Sequence, residues 1–169
     1  MKLETQQLIM APIREQDWSL FHALHTTSLV IEKCFDAPGE DDLKDKFQGR
    51  LQPWAPESGA WLTLTIAEKE SGKPVGITGF FVEHGIAEVG YLLMPEFYGK
   101  GYGTESLQAV VEWAETQGLH QMRAVVTEGN IASERVLEKC GFTLKEKIPL
   151  AYEIGGHLYA DHIYQRGAF

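Results

Sequence analysis

Residues 90–114 read GYLLMPEFYGKGYGTESLQAVVEWA. The apolar run from Gly90 to Met94 stops at Pro95, which cannot donate to a strand ladder. A loop follows in which Gly99, Gly101 and Gly103 alternate with Lys100 and Tyr102. Leu107, Val110, Val111 and Ala114 then recur on one helical face. The stretch therefore reads as strand, glycine-rich turn and helix N-terminus, which is a candidate anion site. Successive N–H groups converge on one concavity there, and the helix dipole adds partial positive charge. Amides from Gly99 to Thr104 supply donors, glycines let an anion reach the main chain with no Cβ in the way, and Lys100 adds a cation nearby. A tight loop that needs only positive φ explains the same glycines, and that reading stays open.

The anion is not held in a nucleotide-hydrolysing or dinucleotide frame. The Walker A order of Gly, Lys and Ser/Thr is absent, and G-x-G-x-x-G fails at Thr104. Upstream, WLTLTIAEKE (61–70), PVGITGFFVE (74–83) and IAEVGYLLM (86–94) read as an antiparallel meander with turns at SGKP and EHG, not as βαβ units. A first strand is expected over residues 3–13. An amphipathic helix is expected over 15–29 through Trp18, Phe21, Leu24 and Leu29, and a short acid-opened helix over 40–51. Downstream come a strand at 121–128, a helix from Asn130 to just before Gly141, and a closing hairpin at 142–166 around Gly155–Gly156. The pattern predicts one domain over residues 1–169 in the α/β (α+β) class. Its sheet is mixed, mostly antiparallel, of about seven strands, with helices on its faces.

Composition narrows the function classes. A net charge of −9 argues against nucleic acid as a partner and fits a cationic substrate. No apolar run reaches membrane-span length, and MKLETQQLIM is too short in apolar residues for a signal peptide. The expectation is a cytoplasmic protein with no membrane partner. Its 2 cysteines, Cys34 and Cys140, make no disulfide framework, and its 6 histidines show no metal-ligand spacing. Trp54 and Trp61 are expected in the core, with a substrate-pocket wall as the alternative.

The 90–114 stretch, followed by VVTEGNIASERVLEKCGF at 125–142, resembles the GNAT superfamily of acetyl-CoA-dependent N-acetyltransferases. It looks closest to the ribosomal-protein N-terminal acetyltransferase branch, and the resemblance is strongest over residues 86–145. It implies acetyl-CoA as cosubstrate, no metal, and a splayed central strand pair. Gly99, Lys100, Gly101, Tyr102, Gly103 and Thr104 are implied to hold the pyrophosphate. Tyr98 stands where the family usually has Gln or Arg. The pantetheine arm is implied to pair with the strand edge near Leu92, Leu93 and Met94, and the amide of Leu93 or Met94 is a candidate oxyanion donor.

Asn130 is an N-cap by position, and the resemblance adds a role in placing the cofactor. Ser133, one turn on, is implied to aid departure of the thiolate, because Leu137 occupies the place where many relatives carry a Tyr acid. Glu88 is the candidate base for the amine, with Glu83 and His84 behind it. The acceptor is expected to be a primary amine, foremost the α-amine of a peptide or protein. A small-molecule amine such as a polyamine or aminoglycoside is the alternative, and a silent acyl-CoA-binding module is a further one. A monomer or a homodimer fits the sequence.

Overall fold

The segment expected as one first strand folds back on itself. The Thr5 N–H donates to the Leu8 carbonyl at 2.9 Å, and the Leu8 N–H donates to Thr5 Oγ1 at 3.0 Å. The result is a tight turn between β1 (Leu3–Glu4) and β2 (Leu8–Pro12), so the sheet has eight strands rather than about seven. The computed structural model describes residues 1–169. β3 (Leu62–Glu68), β4 (Pro74–Glu83) and β5 (Ile86–Leu93) continue the meander, and β6 (Gln121–Thr127), β7 (Thr143–Ile154) and β8 (His157–Arg166) complete the order β1-β2-β3-β4-β5-β6-β8-β7. Every neighbouring pair is antiparallel except β5 and β6. Those two are joined by the crossover helix α4 (Tyr102–Thr116), as a parallel pair requires.

The N-terminal helix is also interrupted. α1 (Trp18–Thr26) ends where Thr27 leaves helical geometry at ψ 115°, and α2 (Ser28–Ile31) restarts after it. Thr26 Oγ1 donates back to the His22 carbonyl at 2.8 Å, a local bond that competes with helix propagation. Leu29, expected on the buried stripe, is exposed. α3 (Glu40–Leu51) opens with Glu40, Asp41 and Asp42, which complement the helix dipole, and inserts Leu43 and Phe47 at i, i+4 spacing. No helix is long and apolar enough to cross a membrane.

Alternation along the strands gives the sheet two cores. Val89 and Leu93 of β5 pack with α4 and α5 (Ile131–Lys139) in a cluster of 23 buried residues. Leu92, on the other face, packs with α1–α3 in a cluster of 9. Leu107, Val110, Val111 and Ala114 are all essentially fully buried, which identifies the inward face of α4 as the sequence does. Each branched side chain there contributes roughly 1.5–3 kcal/mol on burial. Trp54 joins this core against Phe80 and Trp113, whereas Trp61 stands on the opposite face beside Phe81.

The smaller core contains a titratable group. His25 is 4% exposed, between the rings of Phe21 and Phe35. Its Nδ1 lies 2.7 Å from the Phe21 carbonyl, and because a carbonyl only accepts, that nitrogen carries the hydrogen. Burial lowers its pKa from the ordinary 6.5 to about 4, against the raising effect of the Phe21 bond. The unfolded chain therefore binds a proton that the folded chain refuses between pH 6.5 and 4. His25 costs stability progressively as pH falls through that window, to a limit of about 3 kcal/mol. His25→Gln is expected to flatten the acid limb of denaturant-measured stability between pH 6.5 and 4 relative to the parent. An unchanged slope removes His25 from the acid response.

Candidate active site

β5 and β6 pair only from Ile86↔Gln121 to Glu88↔Arg123 and then part, while β6 continues alongside β8 up to Thr127. The edge of β5 beyond Glu88 is thus open. Its register decides which groups face the gap. The Met94 N–H donates to the Val75 carbonyl at 2.8 Å, so even-numbered residues bond toward β4. By the alternation of an antiparallel ladder, Tyr91 and Leu93 turn their N–H and C=O groups into the gap. The Met94 amide is therefore taken, and of the two expected oxyanion donors only Leu93 has a free N–H.

At the last closed rung, Glu88 Oε1 lies 3.0 Å from Arg123 Nε. That Nε makes no directed hydrogen bond even so, which leaves the pair an ion pair rather than a hydrogen-bonded fork. Burial raises the Glu88 carboxyl pKa, and the Arg123 charge partly opposes it. Glu88 belongs to neither cavity described below.

Beyond β5, Gly99 and Gly101 adopt φ of 77° and 79°, a left-handed conformation that side chains resist, and neither has a neighbour within 4 Å of an added Cβ. Gly103 differs. It lies inside α4, and a Cβ there would meet Val136 at 3.3 Å and Tyr91 at 3.7 Å, so it permits α4, α5 and β5 to close on one another. No N–H from Gly99 to Thr104 donates to another part of the protein, since the first bond of α4 is Glu105 N–H to Gly101 C=O at 3.0 Å. Six consecutive amides are thus left without an internal acceptor, and five of their residues, Gly99, Gly101, Tyr102, Gly103 and Thr104, line one hollow at the helix N-terminus. The Lys100 ammonium turns away from it, lying over the Phe97 ring and 3.6 Å from Glu68 Oε2. Two cations, Lys33 and Lys139, and one carboxylate, Glu32, stand on the wall of the hollow, and the sequence reading overlooked all three.

α5 begins at the open end of the gap. Asn130 caps it, accepting from the Ser133 N–H at 3.4 Å, and its amide group lies 4.0 Å from Cys34 Sγ. Ser133 Oγ receives a hydrogen bond from the Tyr91 hydroxyl at 3.2 Å. Burial pushes the Tyr91 phenol up to about 12, against the lowering effect of Ser133, so it stays protonated as a donor. Tyr91 was not foreseen; its place on the open strand and its polar tip were the available signals. Leu137 is buried in the core and offers no polar group. No group of three or more His, Cys, Asp or Glu side chains is placed to share a metal ion.

Two cavities meet at this point. One, of about 410 Å³, runs along the glycine loop and the N-terminal half of α5. The other, of about 310 Å³, lies over the splayed strands beneath α1 and α3. Lys33, Cys34, Tyr91, Leu92, Asn130 and Ser133 line both, so the Tyr91–Ser133 pair stands at a junction of two binding spaces. An anion-cradling loop, an open strand edge and a through-sheet junction suit a long phosphate-bearing thioester that meets a second reactant from the opposite face.

Residues 7–143 match the family model for the acetyltransferase (GNAT) domain. The chain belongs to the GNAT acetyltransferase family. It is an acetyl-CoA-dependent N-acetyltransferase. Among curated proteins it is 27% identical, over 146 residues, to the uncharacterized N-acetyltransferase YoaA of Bacillus subtilis (strain 168), with 83% of this chain and 81% of that one covered. The fold is shared with the ribosomal L7/L12 alpha-N-protein acetyltransferase RimL, solved with coenzyme A (TM-score 0.83, 20% identity, 96% and 95% of the two chains). It is equally shared with spermidine N-acetyltransferase from Vibrio cholerae, solved with CoA and spermine (TM-score 0.82, 18% identity, 95% of each chain).

Two glycine roles in the acetyltransferase can be separated experimentally. Gly101→Val is expected to cost about 1–2 kcal/mol in stability from its left-handed φ, besides weakening CoA. Gly101→Asn tolerates that φ and should keep the fold while a side chain obstructs the hollow. Calorimetry is expected to show CoA affinity at least tenfold weaker in Gly101→Asn. Parental affinity in that variant would move the pyrophosphate site off the loop.

Proposed function

We propose that the acetyltransferase modifies the α-amine of a peptide or protein by direct attack on the thioester, with no acyl-enzyme. The supporting observation is the wall of the cavity beneath α3, which includes no Asp or Glu. Its one imidazole, His25, has a pKa of about 4 and gives its Nδ1 hydrogen to Phe21. Without a base of useful strength on that wall, the acceptor has to arrive substantially neutral. An α-amine of pKa near 7.7–8.0 is about one quarter neutral at pH 7.4, while a lysine-type amine near 10.4 is neutral about one time in a thousand. A polyamine is the poorer fit, because a polycation calls for carboxylates and the wall carries none.

In this reading the amides of residues 99–104 and Lys139 hold the pyrophosphate, and the open edge at Tyr91 and Leu93 pairs with the pantetheine amides. Acetyl-CoA supplies the activated acetyl carbonyl. The Leu93 N–H donates to the oxyanion that develops on it. As the carbon–sulfur bond breaks, Ser133 turns its hydroxyl hydrogen toward the sulfur while it accepts from Tyr91. Full transfer of the phenol proton is uphill by about 5 kcal/mol, because a phenol near 12 is a far weaker acid than a thiol near 8.5. Tyr91 and Ser133 therefore act as hydrogen-bond donors. The proton that ends on sulfur is the one the attacking nitrogen sheds, so the amine loses one hydrogen and the thiol gains one. Glu88, tied to Arg123 and off both walls, serves better as the clamp that fixes where the strands part than as the base.

Thiol-release kinetics test these roles. Ser133→Ala and Tyr91→Phe are each expected to lower kcat by about tenfold or more with a smaller change in KM for acetyl-CoA. Glu88→Gln is expected to leave the pH profile of kcat/KM unchanged, with its rise following the pKa of the acceptor. A profile that loses an acid limb in Glu88→Gln would restore Glu88 as base. In a single-tube competition, a peptide with a free N-terminus should be acetylated ahead of its N-blocked form, spermidine and an aminoglycoside. Preference for any of the other three would overturn the α-amine assignment.

A further inference from the structure

The cavity beneath α3 is charged oppositely to the molecule around it. The chain carries 24 Asp and Glu against 15 Lys and Arg, yet the cavity wall holds Lys33, Lys46 and Arg50 and no carboxylate. Arg50 is held in place by two contacts. Its Nη1 donates to Thr63 Oγ1 at 2.8 Å, and its guanidinium carbon lies 5.0 Å from the centre of the Trp61 ring. Neither Arg50, Lys46 nor Lys33 forms an ion pair with any carboxylate of the chain. Arg50 is the more deeply withdrawn from water, and desolvation alone draws its pKa down to about 10. Held by one hydroxyl and one ring face, the guanidinium keeps its remaining N–H donors for an anion.

The fold turns these cations toward the reaction junction. Lys46 and Arg50 are one turn apart on α3, on the stripe beside Leu43 and Phe47, which anchor the helix in the smaller core. Thr63 is opposite Gly79 on β4, and Gly79 is opposite Gly90 on β5. The anchor of the guanidinium therefore lies about 10 Å, two strand spacings, from the residue beside Tyr91. Gly90 leaves room for the Trp61 ring, which a Cβ there would meet at 3.2 Å, so the indole under the Arg50 guanidinium lies against β5. The result is a trough partly floored by the Trp61 ring, with hydrogen-bond donors at one end and the anchored Arg50 beside Lys46 at the other.

We propose that the acceptor is an α-amine compound bearing a side-chain carboxylate, which Arg50 and Lys46 bind while the amine lies at Tyr91 and Ser133. The proposal rests on the α-amine transfer argued above and names its substrate class. A planar guanidinium matches a carboxylate bidentately, and the trough length suits an acidic side chain better than a carboxylate on the α-carbon itself. A basic N-terminal segment, which the net charge alone would favour, meets like charge here.

The test uses hexapeptides with a free N-terminus that differ only by Glu or Gln within the first two residues, with free glutamate and glutamine as a second arm. Rates of thiol release from acetyl-CoA are measured for the parent, Arg50→Gln and Arg50→Lys, with CoA affinity as the control for folding. In the parent, kcat/KM is expected to favour Glu over Gln by about tenfold or more, mainly through KM, and Arg50→Gln should abolish that preference while Arg50→Lys restores part of it. The arm showing the larger preference tells an acidic peptide from a free acidic amino acid, and either carries the proposal. Equal rates on Glu and Gln compounds in the parent, or an equal loss on both in Arg50→Gln, overturns it. Should no amine be acetylated, calorimetric titration of the CoA-loaded protein with the same compounds decides. Binding of Glu compounds that Arg50→Gln removes keeps the anion site and sinks the transfer reading, and binding without preference sinks the anion site.

Discussion

A parallel strand pair that closes for three residues and then opens leaves backbone polar groups in a cleft, and the rest of the site is arranged around them. Buried N–H and C=O groups have to find partners. Those of Tyr91 and Leu93 have none across the gap in β6, which is committed to β8 on its far side. The opening begins one rung past the Glu88–Arg123 pair. At the opening, the Tyr91 ring lies toward α4 and its hydroxyl reaches Ser133 on α5. The Tyr91–Ser133 pair thus stands where the two cavities join. The glycine loop needs the same geometry, since α4 can approach β5 and α5 closely only because residue 103 has no Cβ.

Charge is distributed in two registers that must be kept apart. The molecule as a whole is acidic, which sets long-range attraction and solubility. Within a cleft of low dielectric, the few groups on the wall dominate, because their interactions are screened far less than surface charges. Along the glycine loop those groups are amide dipoles, Lys33, Lys139 and Glu32; beneath α3 they are Lys33, Lys46 and Arg50 with no carboxylate. Both walls therefore carry more cations than carboxylates inside an acidic molecule. The same wall explains the neutral His25, which burial and the nearby Lys46 and Arg50 all push toward the uncharged form.

Much of this was legible where the determinants are local. Pro95 ending a strand, the alternating glycines, the α4 stripe and the Asn130 cap all act over a few residues, and each stands where the sequence puts it. What escaped depends on distant partners. The turn that splits the first strand is backed by Glu105, which accepts from Thr5 and from the Gln7 N–H. Lys100 reads as a phosphate ligand until Glu68 and Phe97 arrive in space to take it. Tyr91 acquires a role only through Ser133, 42 residues later. The Met94 amide looks available until strand register assigns it to Val75. Net charge averages over a whole surface and does not report which side chains line one cleft, so the Lys33, Lys46 and Arg50 wall was not legible from composition.

The two cores give this enzyme a division of labour with an energetic basis. The larger one unites β2–β6 with α4 and α5 and so fixes the loop, the strand edge and Ser133. The smaller one holds α1–α3 against the opposite face and includes only Ile77 from the sheet among its buried members, with Leu92 and Met94 packed at its margin. Substitutions in separate clusters without shared partners act nearly additively on stability. Lys46, Arg50, His25 and Phe35 belong to the smaller unit and can change without disturbing the amides that face the glycine hollow. The junction residues cannot vary so freely, because Tyr91 and Leu92 alternate between the two faces of a single strand. In the proposed reading, acceptor choice is thus written on a helical layer whose packing tolerates change, and the transfer chemistry on the strand that both layers share.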